Sequence, residues 1–453
     1  MDEKAFPYIS NTADDVGRML QEIGSSSVED FLKHIPSAFR LFKPLNLPQA
    51  TSEPELLREM LACSRKNASA ENYDYFLGAG AYHHYVPSVV SHLIGRSEFY
   101  TSYTPYQAEI SQGNLQAIYE YQSLICALTD MEVANASMYE GASALAEAVL
   151  MASRINEKKG VLLPASLHSE YKQVVQTYAR SSGLELREFA CGNDGTNDFS
   201  DFERLISGSC SSVVLQNPNF FGCIENVAPF IDLAHKMGAL AIGLILEPVS
   251  LGILKPPGTL GADIVVGEAQ GFGNFLNYGG PYLGFFATRE EFVREMPGRL
   301  VGQTQDKQGR RGFCLTLATR EQHIRRKKAT SNICTNENLC ALAATVYLST
   351  LGPKGLSHLA HLNLQRTEYA KGRISQLPGY SLKYSAPTFN EFVVTLPEDV
   401  DIISKVLLEN GIVGGLELKR FFPKMTRDMM FCVTEMNDKQ DIDRLVEVLS
   451  RIG

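Results

Sequence analysis

Residues 138–189 read MYEGASALAEAVLMASRINEKKGVLLPASLHSEYKQVVQTYARSSGLELREF. Apolar residues recur at helical spacing over 141–154, then collapse into a short apolar run at 161–163. Helical spacing returns over 168–180 and a second strand-length run follows at 184–189. The same texture continues downstream, with strands predicted at 212–215, 240–246, 263–266 and 282–288 and helices at 201–207 and 227–237. A chain that alternates in this way must cross over between neighbouring strands, and right-handed crossovers place helices on both faces of a mostly parallel sheet. The predicted fold class is therefore α/β.

On either side of this region the pattern changes. Thr12 precedes Ala-Asp-Asp and a periodic set, Val16, Met19, Leu20 and Ile23, which predicts a capped amphipathic helix ended by Gly24. Ser27 opens a second short helix that Pro36 stops. After Asn332 a long helix is expected, with Leu339, Leu342, Ala343, Val346 and Tyr347 on one face; it runs towards Leu377 and is interrupted at Gly352-Pro353. The remainder mixes strands (381–385, 391–396, 429–434) with helices (399–410, 438–451), a smaller α+β lobe. These shifts divide the chain into an N-terminal helical region over 1–75, a large α/β domain over 76–335, and the long helix with a small α+β C-terminal domain over 336–453. No internal repeat is present.

Composition bounds the function. The 453 residues are 44% hydrophobic and 21% charged, enough for a large core and more than one lobe. A formal net charge of -9 argues against a protein that tracks nucleic-acid phosphates. The start lacks the basic, apolar and small-residue succession of a secretory signal, and apolar runs such as 239–246 fall far short of the ~20 residues that span a bilayer. A cytoplasmic protein without membrane attachment is expected. The nine cysteines (63, 126, 191, 210, 223, 314, 334, 340 and 432) contain no CxxC pair, so neither a metal site nor a disulfide framework is expected. Cys126 and Cys340 lie in apolar helical patterns, as small buried thiols do.

Three stretches could carry chemistry. Tyr139-Glu140-Gly141-Ala142-Ser143-Ala144 is a glycine turn entering a helix, where free amides suit an anion; tight helix packing would ask for the same small residues. The second stretch, 76–87, reads FLGAGAYHHYVP and is followed at 104–113 by TPYQAEISQG, irregular backbone that presents Tyr, His, Gln and Glu side chains. His83 and His84, being adjacent, point opposite ways in extended chain, which suits ordinary hydrogen bonding better than chelation. The third, REQHIRRKKATSNICTN over 320–336, begins as a basic face and ends in hydroxyl and amide donors ahead of the long helix.

Together, TPYQAEISQG, ATSNICTN, the 78–87 stretch and the 141–144 turn resemble the P-protein family of the glycine cleavage system, and within it the N-terminal subunit of the split, two-subunit glycine dehydrogenase (decarboxylating). The resemblance covers nearly the whole chain, from about Tyr8 onward. It implies a fold-type I PLP-dependent transferase architecture, aspartate aminotransferase-like, in agreement with the strand and helix order. In that fold the lysine that holds PLP lies just after a late sheet strand, which here corresponds to Asp263-Ile264-Val265-Val266-Gly267-Glu268-Ala269-Gln270-Gly271-Phe272. The catalytic subunit of the family carries His-Lys where this chain has Gln270 and Gly271. No lysine occurs from Pro256 to Ala287, and Lys255 precedes the strand. Glu247 stands where the fold usually has the aspartate that pairs with the pyridine nitrogen; without a lysine it is expected to be a relic or a structural acceptor.

The resemblance thus implies a subunit with no catalytic residue and no covalently bound cofactor of its own. PLP would be bound by the partner subunit, and this chain would complete the site. The implied partners are that PLP-bearing subunit, in a heterotetramer of two of each, the lipoylated H-protein and glycine. The implied reaction releases CO2 from glycine and passes the aminomethyl group to the lipoyl arm. Tyr103, Tyr106 and Gln107 from one loop and Thr330, Ser331 and Asn332 from the other are the expected contributions. Two alternatives remain at this point: an independent PLP enzyme with an atypical lysine, and a non-catalytic stabilising scaffold.

Overall fold

The computed structural model describes Tyr8, residues 10–43 and residues 45–452. It falls into two compact units, Met1–Asn67 and Ala68–Gly453.

The first unit is helical. Ala13–Glu22 starts at the predicted cap: Thr12 Oγ1 accepts from the Asp15 amide at 3.2 Å while the Asp15 carboxylate accepts from the Thr12 amide at 2.9 Å, a reciprocal box. The short helix expected after Ser27 is a 3₁₀ turn, Val28–Leu32, and a further helix, Glu53–Ser64, opens with the same box at Ser52 and Glu55. No described residue of this unit is buried. Its apolar side chains, Phe39, Leu41, Phe42, Leu45 and Leu47 among them, are exposed.

The second unit is built on a seven-stranded sheet. Its spatial order is Val133–Ala134, Gly284–Thr288, Ile264–Glu268, Leu240–Ile245, Cys210–Gln216, Gly160–Pro164 and Glu185–Phe189. The five strands from Ile264–Glu268 outward are parallel, and Gly284–Thr288 runs antiparallel to both of its neighbours. The six sequence-predicted strands of this region all form, within two residues at either end. Strand periodicity sorts the core. Ile264 and Val266 pack with Ala144, Leu145 and Val149 of the helix Gly141–Asn156 on one face, whereas Val265 packs with Phe272 and Tyr347 on the other.

The long helix, Asn338–Ile374, is two helices joined at Gly352, whose φ of 60° and ψ of 180° break the ladder just before Pro353. Its second half carries Ala370 and Ile374 into the core of the small lobe. There an antiparallel sheet (Ser381–Leu382, Glu391–Thr395, Asp428–Cys432, Leu416–Glu417) is backed by helices Val400–Glu409 and Lys439–Ser450. Asp74–Tyr75 pairs in parallel with Ile412–Val413, so the segment entering this unit is anchored on the small lobe before it crosses the large sheet. Among the described residues no helix is long and apolar enough to cross a membrane.

Candidate functional site

In open α/β sheets ligands bind in the crevice beyond the carboxyl ends of the parallel strands. Here the segment Ala79–Tyr85 runs across that crevice and is tied down at every step. Ala79 donates its amide to Glu391 Oε1 at 2.6 Å, and its carbonyl lies 2.9 Å from His168 Nε2. Tyr82 donates its amide to Gln270 Oε1 at 2.9 Å and accepts from Gln270 Nε2 at 3.2 Å; its hydroxyl donates to Glu391 Oε2 at 3.0 Å. His84 sits between two carboxylates, with Nε2 3.1 Å from Glu247 Oε2 and Nδ1 2.8 Å from Glu435 Oε2. Asn390 completes the shell of Glu247 with a 2.6 Å donation to Oε2, and the Val249 amide donates to Oε1 at 3.0 Å.

This network is buried. His84, Glu247 and Glu435 are all buried. Burial opposes a charge on His84, but Glu247 and Glu435 overcome it and hold the imidazolium to a pKa of about 10. Glu268 and Glu391 have no such cation: burial pushes both up to about 7, against the amide and hydroxyl donors that favour their ionised forms. Glu268 accepts from the amides of Gly141, Gln270 and Leu283 at 2.8–3.0 Å.

The helix terminus that could hold an anion is therefore filled from within. Glu268 takes the Gly141 amide, and Glu140 takes the Ser143 amide at 2.7 Å. Packing accounts for the glycine: a Cβ at Gly141 would lie 2.5 Å from the Tyr171 hydroxyl and 3.0 Å from the Gly267 backbone. Of the adjacent histidines, His84 goes inward to its two carboxylates and His83 packs edge-on to Tyr75.

A second constellation lies at the surface, where one residue that sequence reasoning passed over joins the two candidate loops. Arg299, buried just before the strand Leu300–Gln305, donates Nη2 to the Tyr106 hydroxyl at 2.9 Å and to the Cys334 carbonyl. Its Nη1 is 3.4 Å from Thr104 Oγ1, Thr335 Oγ1 and Asn336 Oδ1, and its guanidinium lies over the Tyr106 ring, 5.3 Å from the centroid. Tyr103 and Tyr106 remain exposed, at 86% and 56%, and Gln107 and Asn332 are exposed with them. Ser331 Oγ accepts from the Ile333 amide at 3.0 Å, and the Thr330 amide donates to the Arg320 carbonyl at 3.2 Å. The long helix begins at Asn338 rather than near Asn336, and its N-cap, Glu337, makes no side-chain cap. Thr330 and Asn332 therefore do not cap it.

A family model described as "Glycine cleavage system P-protein" matches residues 7–449. The chain is 50% identical over 445 residues to a protein of Desulfitobacterium hafniense named "Probable glycine dehydrogenase (decarboxylating) subunit 1", covering 98% of this chain and 99% of that one. This chain belongs to the glycine cleavage system P-protein family. A similarly named protein of Moorella thermoacetica is 48% identical over 98% of this chain and 99% of its own length. A crystal structure of glycine decarboxylase (P-protein) in inhibitor-bound form superposes with a TM-score of 0.91 at 40% identity, covering 99% of this chain and 100% of that one. Sphingosine-1-phosphate lyase of Burkholderia pseudomallei, at 14% identity and a TM-score of 0.65, shares the fold, which is that of fold-type I PLP enzymes.

P-proteins work with PLP, yet the crevice residues of this chain do not fit it. No lysine follows the strand Ile264–Glu268, and a Cβ at Gly271 would already stand 3.1 Å from His84 Cδ2. Glu247 lies 3.1 Å from His84 Nε2 and accepts from Asn390, so its carboxylate is engaged within the chain. Carboxylates occupy the amides that would receive a phosphate.

Proposed function

We propose that this P-protein family member is the non-lysine-bearing subunit of a two-subunit glycine decarboxylase, and that it completes an active site whose PLP is held by its partner. The observation that carries this reading is the contrast between a crevice sealed by the chain's own side chains and a pair of loops tied together at Arg299 with their polar ends left exposed. Tyr103, Tyr106 and Gln107, with Thr330, Ser331 and Asn332, form the rim offered to the partner. The supported reaction releases CO2 from glycine and passes the aminomethyl group to the lipoyl arm of H-protein, in a cytoplasmic heterotetramer of two of each subunit. In that reaction the chain's own residues orient and enclose, and they relay no proton at the crevice.

The first unit supports an extensive interface. A stretch with no buried residue among those described and many exposed large apolar side chains is costly in water unless a partner covers it. The test is reconstitution. This chain alone, supplied with PLP and glycine, should release no CO2, and adding the lysine-bearing subunit should restore release together with a higher melting temperature. Glycine-dependent release by the chain alone would make it an independent enzyme. Activity of the assembled complex that survives removal of the rim side chains would make it a scaffold.

A further inference from the structure

On a chain with a net charge of -9, one cavity of about 380 Å³ collects five cations and a single carboxylate. Arg154 comes from the last turn of the helix Gly141–Asn156, Arg294 and Glu295 from the turn after Phe292, and Arg320, Arg325 and Lys328 from the segment leading to the rim loop. These charges are unequally compensated. Arg320 is buried and donates to the carbonyls of Met296, Gly298 and Leu317, so its position is fixed, while Glu321 and Glu295 offset its charge from a distance, without a close ion pair among the described residues. The neighbouring Glu321 faces other cations, Arg299 at 3.8 Å and His323 at 3.5 Å. Arg154 reaches the Glu295 carbonyl at 3.0 Å and is offset in part by the buried Glu147 behind it, but its Nε is buried without a hydrogen-bond acceptor and stands 3.5 Å from Glu295 Oε2. The side chains of Arg294, Arg325 and Lys328 donate to nothing among the described residues.

A solvated basic face spreads its charges outward and interleaves carboxylates. This group instead converges on a concave space, from three chain segments far apart in sequence, around a buried guanidinium. Like charges brought together in this way repel one another, and a compact anion with several acceptor oxygens relieves the repulsion while giving the free donors partners. Guanidinium forks match the paired oxygens of a phosphate group, and two or more of them favour a multiply charged ligand over a monocarboxylate.

We propose that this cavity binds a small phosphorylated anion carrying at least two negative charges. Pyrophosphate and orthophosphate serve as probes, titrated by calorimetry into the full-length chain and into its complex with the second subunit. Pyrophosphate should bind more tightly than orthophosphate, and added sodium chloride should weaken both. The double variant R294Q/R325Q removes two exposed cations without touching the core, and it should weaken pyrophosphate binding by about tenfold or more with an unchanged melting curve. E295Q removes the one carboxylate that lines the cavity and should strengthen binding. Absence of binding by the wild-type chain, equal binding by R294Q/R325Q, or weaker binding by E295Q would each overturn the assignment.

Discussion

The crevice over the sheet and the rim around Arg299 hold similar inventories of tyrosine, histidine, glutamate and amide side chains, but they use them in opposite ways. In the crevice each group described above is satisfied by another group of the same chain: His84 by Glu247 and Glu435, Glu391 by Ala79 and Tyr82, Gln270 by Tyr82. At the rim Arg299 draws two loops together through Tyr106, Thr104, Thr335 and Asn336, while the Thr330 hydroxyl and the Asn332 side-chain amide make no hydrogen bond among the described residues. A buried polar network that is complete stabilises and specifies a fold, whereas surface donors left open are available to another molecule. Residue type alone does not mark a site. What distinguishes the two regions is whether the hydrogen-bonding capacity is already filled.

The sharpest way to break this comparison is to open the crevice. Replacing His84 by leucine would leave Glu247 and Glu435 buried without their shared cation. Breaking a buried ion network by removing one partner costs about 3–5 kcal/mol. We expect H84L to lower the unfolding free energy of the chain by that amount, with a correspondingly lower denaturation midpoint, without creating PLP binding, since Gly271 still offers no amine. A melt unchanged in H84L would mean that the crevice is not the sealed, stabilising element described here.

The ionisation of the same region gives a pH signature, again with a definite sign. Glu268 and Glu391 of the crevice, and the buried Glu225, which accepts from Asn219 Nδ2 and the Asn197 amide, are each raised to about 7, chiefly by burial, from the 4.5 of an unperturbed glutamate. Between these values the folded chain binds more protons than the unfolded one, so stability falls as pH rises from about 4.5 to 7 and stays lower above it. His84 is raised from 6.5 to about 10; its contribution is complete below 6.5 and is lost as pH climbs through 10. Both effects point the same way and are opposed, near pH 6.5, by His83 and His168, whose pKa values burial lowers. Chemical denaturation of the chain at pH 5.5, 7.5 and 9.5 should show stability decreasing at each step, and a maximum at pH 9.5 would contradict the assigned protonation states.

The large sheet was legible because its strands and helices announce themselves by period, and the missing lysine because absence from 256–287 needs no alignment to see. The helix Gln112–Thr129 also carries a period, with Leu115, Ile118, Tyr121 and Ile125 buried, but the irregular Pro- and Gly-containing string at 104–113 overlaps its start and masks it. In the hairpin, Leu300–Gln305 turns polar and increasingly exposed after Val301, and in Arg311–Thr316 only Phe313 is buried, so no sustained alternation marks it. Arg299 escaped because its partners lie nearly 200 residues away on one side and about 35 on the other, a long-range convergence that no local pattern encodes. Filling of the crevice was invisible for the same reason: His84 gave no local sign that it would meet Glu247 and Glu435.

The finest discrimination lies in the rim loop itself. If the Thr330 hydroxyl and the Asn332 amide held the fold together, they would have partners, and neither caps the helix at Asn338. Replacing both by alanine should therefore leave the melting curve of this chain within about 0.5 kcal/mol of wild type, the range of surface substitutions. Assembled with its lysine-bearing partner, the same variant should retain PLP less well and catalyse glycine–bicarbonate exchange several-fold to about tenfold more slowly, because a donor to a charged group contributes about 1.5–3 kcal/mol where it is desolvated. The two measurements must be made on one preparation, since their combination decides the matter. Slower exchange with an unaltered melt locates these side chains at the shared site. A lowered melt with normal PLP retention would show them to be structural, and the open donors at the rim would then have no connection with the partner's chemistry.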